Sequence, residues 1–326
     1  MIIPTYPFRV EFEVVSTCNL NCVYCYAKPF NNIVPQLDNI KYLLQKTKEE
    51  ANPFEIVLLG GEPFLRNDMI TLLEFTDKLF VDRSIGVSTN GTLFSRLPAK
   101  ELNKLKDIVK ERPVIQISLD SSNYKINDKT RKKTNLTLDG LNTLEKQEIR
   151  FSIGIMPTTA NILDIPNTVS YLLNNYAYVK QINIETLQPT FSINFELFNK
   201  LALNSQEVKK LRKNIALQIK NLNRSDVIVT GLDESCTLTD KPITDTYNFQ
   251  TCMAGLFRAG VFVNGDVTPC VLLRDVRLGN LYTESWKNIW INSKKRFLSL
   301  RMTNAGQCTA LNLLRRTNKD KLRSSS

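Results

Sequence analysis

Cys18-Asn-Leu-Asn-Cys22-Val-Tyr-Cys25 places three thiols within eight residues, immediately after the apolar and β-branched run Arg9 to Ser16. A buried strand that ends in such a loop belongs to an α/β protein, whose functional groups collect at the C-terminal ends of parallel strands. Three is the informative number. Structural zinc takes four protein ligands, commonly from two Cys-x-x-Cys pairs, whereas a 4Fe-4S cluster held by three thiolates keeps one iron open to a further ligand.

Working outward from that loop, one pattern repeats. Short β-branched runs stand at Arg9 to Ser16, Glu55 to Leu59, Ile85 to Thr89, Val114 to Leu119, Phe151 to Met156 and Gln181 to Leu187, each reading as a buried strand. Between them apolar residues recur at helical spacing: Leu37, Ile40, Leu43 and Leu44; Met69, Leu72, Leu73, Leu79 and Phe80; Leu102, Leu105, Ile108 and Val109; Ile165, Val169, Leu172 and Leu173. Strand then helix, repeated, builds parallel βα units with right-handed crossovers. Periodicity alone leaves an open doubly wound sheet and a complete or partial barrel as alternatives. Phe195 to Asn223 carries a single apolar stripe on a polar helix and reads as a linker. Gly260 to Cys270, with Asn264-Gly265 at its centre, reads as a hairpin opening a small second domain.

The strand ends carry polar groups. The second ends in Gly60-Gly61-Glu62-Pro63, where glycines permit close approach to a ligand and Glu62 can accept from an amino group. The third ends Ser88-Thr89-Asn90-Gly91 and the fourth Ser118-Leu119-Asp120. Each alone is a turn or cap. At consecutive strand ends they converge on the rim that carries the cysteines.

Composition removes other chemistries. The 326 residues are 42% hydrophobic and 23% charged, a globular balance. Histidine is absent, so triads, HExxH zinc sites and imidazole acid/base catalysis are excluded. Seven cysteines, with no apolar leader in the first ten residues, point to thiolate ligands in a reducing, cytoplasmic compartment. No apolar run approaches the roughly 18 residues of a membrane span, so no membrane partner is expected. The net charge of +11 permits an acidic partner, but it is spread along the sequence and reads first as a solvated surface. Nucleic acid is not expected, because no RNP pattern, GXXG clamp or zinc knuckle is present.

These residues resemble the radical S-adenosylmethionine (SAM) superfamily, whose CxxxCxxC loop stands here as Cys18, Cys22 and Cys25, with the aromatic Tyr24 before the last cysteine. The resemblance implies a partial (β/α)6 TIM-like barrel over residues 1–192, a helical linker over 193–235, an iron-sulfur domain over 236–312 and a basic tail over 313–326. It implies that the open iron chelates SAM and that one electron cleaves SAM to methionine and a 5′-deoxyadenosyl radical, which abstracts substrate hydrogen. By the same resemblance Gly60, Gly61, Glu62 and Pro63 meet the methionine amino group. Ser88 and Asn90 contact ribose and methionine, Ser118, Asp120 and Arg131 form the polar set around ribose and carboxylate, and Glu185 and Leu187 lie near the adenine.

Four further cysteines, Cys236, Cys252, Cys270 and Cys308, lie in the second region, where Gly265-Asp-Val-Thr-Pro-Cys270 and Trp286 to Trp290 resemble the SPASM/Twitch extension. Four ligands imply one auxiliary 4Fe-4S cluster, with Cys236 as fourth ligand or, alternatively, a buried free thiol. No dense cysteine cluster follows Cys308, a departure from a full SPASM end. Val271 stands where the sulfatase-maturing branch carries its base, leaving Asp275 or Glu234 as substitutes. The implied partners are a peptide or protein substrate and an electron donor such as ferredoxin or flavodoxin. Maturation of a small-molecule cofactor is the second enzyme reading, and RNA modification ranks below it. A simple electron carrier would take four cysteines per cluster and would not need the Gly60 to Pro63 rim.

Overall fold

The computed structural model describes residues 5–29, 31–110, 114–185, 187, 190, 195–222, 224, 226–231 and 254–293. Six strands, β1 (Arg9–Val15), β2 (Glu55–Gly60), β3 (Ser84–Thr89), β4 (Val114–Ser118), β5 (Phe151–Ile155) and β6 (Val179–Ile184), lie parallel in chain order. Helices α1 (Leu37–Glu50), α2 (Met69–Leu79), α3 (Ala99–Val109), α4 (Tyr124–Asn127), α5 (Thr134–Lys146) and α6 (Ile165–Asn175) fill the crossovers. This is the α/β partial barrel, and strand alternation gives its two faces. Val10, Phe12, Val14, Ile56, Leu58, Ile115, Ile117, Ile182 and Ile184 join the helices in one core. The intervening residues, Glu11, Glu13, Val57, Leu59, Ser88, Gln116, Ser118 and Asn183, therefore face the lumen.

β6 ends at Ile184, so Glu185 and Leu187 follow the strand rather than belonging to it. Periodicity misses the short helix α4 and the longer α5. The Thr, Asn and Gly140 of α5 are weak helix formers, yet Gly140 is required: a Cβ there would stand 2.0 Å from the carbonyl oxygen of Gly91, the residue after the β3 rim.

The stretch read as a linker is a further unit of the barrel. It forms α7 (Phe195–Leu201) and α8 (Ser205–Leu222), and then β7 (Ile228–Gly231), which pairs parallel with β6. The stripe of Val208, Leu211 and Ile215 is buried in the main core. At the other edge β8 (Arg258–Val261) pairs parallel with β1 and turns at Asn264-Gly265 into antiparallel β9 (Asp266–Thr268), as the hairpin reading expected. β10 (Gly279–Asn280) completes a ten-stranded sheet. Trp286 fastens this C-terminal region to α1, its indole N–H donating to Thr47 Oγ1 at 2.9 Å and its backbone N–H to Glu50 at 2.7 Å. Cys236, Cys252, Cys308, Glu234 and the 313–326 tail lie outside the described residues.

Candidate cluster and substrate site

The three cysteines sit on the loop that leaves β1, and the ends of β2, β3 and β4 hold that loop in place. Gly60 and Gly61 permit a close approach between two backbones. A Cβ on Gly60 would stand 2.1 Å from Val15 O, and one on Gly61 would stand 2.0 Å from Thr17 O. The backbone N–H groups of Gly61 and Glu62 donate to Val15 O and Thr17 O at 2.9 and 2.8 Å. Pro63 opens the following 3-10 turn.

Glu62 is fully buried and accepts from the N–H of Phe64 (3.0 Å), Thr89 Oγ1 (2.6 Å) and the N–H of Asn90 (2.7 Å). Burial pushes its carboxyl above the ordinary range, against the pull of these donors. Asn90 in turn donates to Asn19 Oδ1 at 2.8 Å, and its amide lies 3.9 Å from Cys18 Sγ.

Asp120 is likewise fully buried. Its Oδ2 accepts from the Tyr24 hydroxyl and from Thr130 Oγ1 (3.2 Å), and its Oδ1 accepts from the N–H of Met156 (3.0 Å). Arg131 Nε stands 2.9 Å from Oδ1 as an ion pair whose angle is not that of a hydrogen bond. The Arg131 guanidinium also lies over the Tyr24 ring, 5.4 Å from its centroid. A carboxylate has about four acceptor sites, and these partners occupy them. Asp120 thus ties the cysteine loop to the ends of β4 and β5.

The donor set fits an iron-sulfur cluster. The thiols are half-buried and free, and burial pushes Cys18 up to about 12 and raises Cys22 and Cys25. Such thiols make poor nucleophiles unaided, whereas a metal displaces their protons directly. The N–H of Leu20 points at Cys18 Sγ (3.4 Å), a donor suited to a thiolate. Among the described residues no three His, Cys, Asp or Glu groups converge for a single ion. Cys22 and Cys25 both act on Cys18 electrostatically, so the three thiols share one locality, and a cluster would offer each thiolate its own iron.

Ser88 and Ser118 lie half-buried on the lumen face, Glu185 is exposed and Leu187 buried. Above the lumen Tyr24, Val57, Leu59, Leu187, Phe198, Cys270, Val271 and Leu273 form a second apolar cluster. It joins the cysteine loop to the C-terminal region, so Cys270 and Tyr24 belong to one packed cluster. Val271 is buried there and Asp275 is exposed.

The sequence reading missed two buried carboxylates that pair with arginines. Glu13 pairs with Arg274, and Glu11 with Arg9 at 2.9 Å and, more loosely, Arg258 at 3.7 Å. Burial raises Glu13 despite Arg274. Arg258 is raised chiefly by Glu11, with Cys270 and Glu185 also acting on it. A signal was present: acidic residues at alternate positions of a strand flanked by buried apolar ones mark a polar lumen. Deeper in, Asn183 donates to Gln116 Oε1 and accepts from Gln181, both at 2.6 Å.

The profile of the radical SAM superfamily matches residues 12–172, and that of the SPASM iron-sulfur cluster-binding domain matches residues 252–310. The chain belongs to the radical SAM superfamily and is a radical SAM enzyme of the SPASM type, with a 4Fe-4S cluster, SAM and auxiliary iron-sulfur as its cofactors. A probable GTP 3′,8-cyclase of Methanocaldococcus jannaschii is 24% identical over 285 residues, covering 84% of this chain and 88% of that protein. The sporulation killing factor maturation protein SkfB of Bacillus subtilis is 24% identical over 301 residues, covering 90% and 67%. SuiB of Streptococcus suis, solved with S-adenosylmethionine, superposes with a TM-score of 0.73 at 15% identity over 92% of this chain and 69% of that one. Solved with its precursor peptide SuiA, it superposes at 0.68 and 15% identity, over 88% and 65%. No helix among the described residues is long and apolar enough to cross a membrane.

Proposed function

We propose that this enzyme modifies a side chain of a peptide or protein, by cross-linking, epimerisation or oxidation. Cys18, Cys22 and Cys25 hold the SAM-binding cluster, and Cys252, Cys270 and Cys308 with Cys236 hold one auxiliary cluster. Held there, the cluster and SAM would supply a hydrogen-abstracting radical. The protein's part is to fix the loop, exclude water and present one substrate hydrogen. Asn90, with Ser88 and Ser118, lines the site from the lumen, and Glu62 retains one free lone pair for the methionine amino group. Asp120, Tyr24 and Arg131 hold the loop itself, and Leu187 closes the adenine side with Glu185 outside it.

The observation that carries the substrate reading is the character of the barrel lumen and the apolar cluster beside it. Their wall is aliphatic, aromatic and amide-bearing, and their arginines are matched by carboxylates: Arg274 by Glu13, Arg131 by Asp120 and Arg258 by Glu11. Apolar side chains and peptide groups suit such a wall, whereas a nucleoside triphosphate needs unmatched cations. SkfB, a maturation protein, and SuiB, solved with a precursor peptide, support the same class. Small-molecule cofactor maturation is the second reading, supported by the likeness to a GTP cyclase.

The test is an anaerobic reaction of cluster-loaded protein with SAM, dithionite and candidate peptides, taken from any short reading frame found beside its gene and deuterated at candidate residues. Deuterium in 5′-deoxyadenosine together with a mass change in the peptide is expected. Label transfer from GTP, with none from the peptide, would reject the reading.

A further inference from the structure

The fold sets one local run of cations against the cysteine loop. From Lys125 to Lys133 the chain carries Lys125, Lys129, Arg131, Lys132 and Lys133 against one acid, Asp128. That acid is occupied, accepting from the N–H and hydroxyl of Thr134. Lys125, Lys129, Lys132 and Lys133 are exposed, and none forms an ion pair among the described residues. Lys132 and Lys133 adopt left-handed backbone with φ of 75° and 52°, a conformation that L-residues other than Gly, Asn and Asp seldom take, least of all twice in succession. Tyr124, 61% exposed, adds an aromatic contact at the start of this turn.

This turn rests on the cysteine loop. The N–H of Val23 donates to Thr130 O at 2.8 Å, and Cys22 Sγ lies 3.7 Å from Arg131 O. Lys133 Nζ donates to Asn19 O at 3.0 Å, while from the other side of the loop Lys28 Nζ donates to Cys22 O at 2.6 Å. Both acceptors are neutral carbonyls, so the positive charges remain unneutralised. A basic, partly aromatic face lies within one or two residues of the contact to Cys22.

We propose that this face receives an acidic one-electron carrier that reduces the SAM-binding cluster. The inference rests on the superfamily membership and is independent of the substrate class. One electron passes from the reduced carrier, an iron-sulfur or flavin protein, to the cluster; the carrier is oxidised by one electron and no proton or group moves with it. Complementary charge speeds and orients such an encounter, and electron-transfer interfaces are small and transient. RNA or an acidic peptide substrate would also meet lysines. Placement against the cysteine loop rather than beside the apolar cluster of Leu187 and Phe198 favours the carrier.

The experiment compares wild-type enzyme, K125E/K129E/K132E and a control of equal charge change elsewhere, K210E/K213E/K287E, all loaded with clusters. Formation of 5′-deoxyadenosine is driven by dithionite, by reduced flavodoxin or by reduced ferredoxin at low ionic strength, and binding of oxidised flavodoxin to each protein is titrated separately, with weaker binding expected for the patch variant alone. The expected result is that the patch variant needs about tenfold more carrier for half-maximal rate while its dithionite rate stays within about twofold of wild type. The control is unaffected, and added salt weakens carrier-driven turnover of the wild type. Three results would overturn the proposal: unchanged carrier dependence in the patch variant, failure of both carriers on wild-type enzyme that dithionite drives, or a patch variant whose only defect is weakened substrate use under dithionite.

Discussion

Removing the carboxylate of Glu62 leaves the N–H groups of Phe64 and Asn90 and the hydroxyl of Thr89 without their acceptor in a fully buried position. A buried donor that loses its partner costs about 1–3 kcal/mol. Glu62→Ala is therefore expected to lower the stability of the protein by about that amount, read as a shift in urea midpoint, and to weaken SAM binding to cluster-loaded protein. An altered SAM affinity with an unchanged midpoint would mean that Glu62 is a ligand contact and nothing more. The cysteines were legible at this scale because their spacing is local. Glu13 and Arg274 were not, because 261 positions separate them and only the packing of the C-terminal region onto β1 brings them together.

At the scale of elements, the approach of the β2 end to the cysteine loop is set by Gly61. Its missing Cβ would meet backbone atoms of Thr17, which cannot rotate away as a side chain can. Gly61→Ala should displace the loop, and the measure is iron and sulfide content after anaerobic reconstitution. Retention of the full cluster complement by a folded variant would show that the two backbones part without disturbing the thiols. The six barrel strands follow from β-branched runs, since parallel strands buried on the helix-facing side need such side chains. α5 escaped because its helix rests on packing against the β3 rim, not on propensity. The polar helix α8 escaped as a barrel element because one apolar stripe serves a linker and a docked helix alike, and only the pairing of β7 with β6 distinguishes them.

Across the whole molecule the barrel and the C-terminal region meet in one apolar cluster that contains both Tyr24 and Cys270. Two substitutions separate their contributions. Cys22→Ala should abolish 5′-deoxyadenosine formation, since three thiolates are the minimum that leaves a cluster with one open iron. Cys270→Ala should retain SAM cleavage under dithionite yet block modification of the substrate, as followed by mass spectrometry. Retained product in the second variant would remove Cys270 from any part in turnover.

The sequence by itself determined the chemistry. Three cysteines on a strand-end loop, a run of βα units and the absence of histidine specify it through contacts between near neighbours and through composition, which need no coordinates. Tertiary structure decided what joins distant positions: that glycines serve backbone contact, that Asp120 secures the cysteine loop, that lumen arginines meet carboxylates, and that lysines collect beside Cys22. Those outcomes depend on which strands neighbour one another and at what register, and long-range pairing of that kind is set by the packing of the entire sheet.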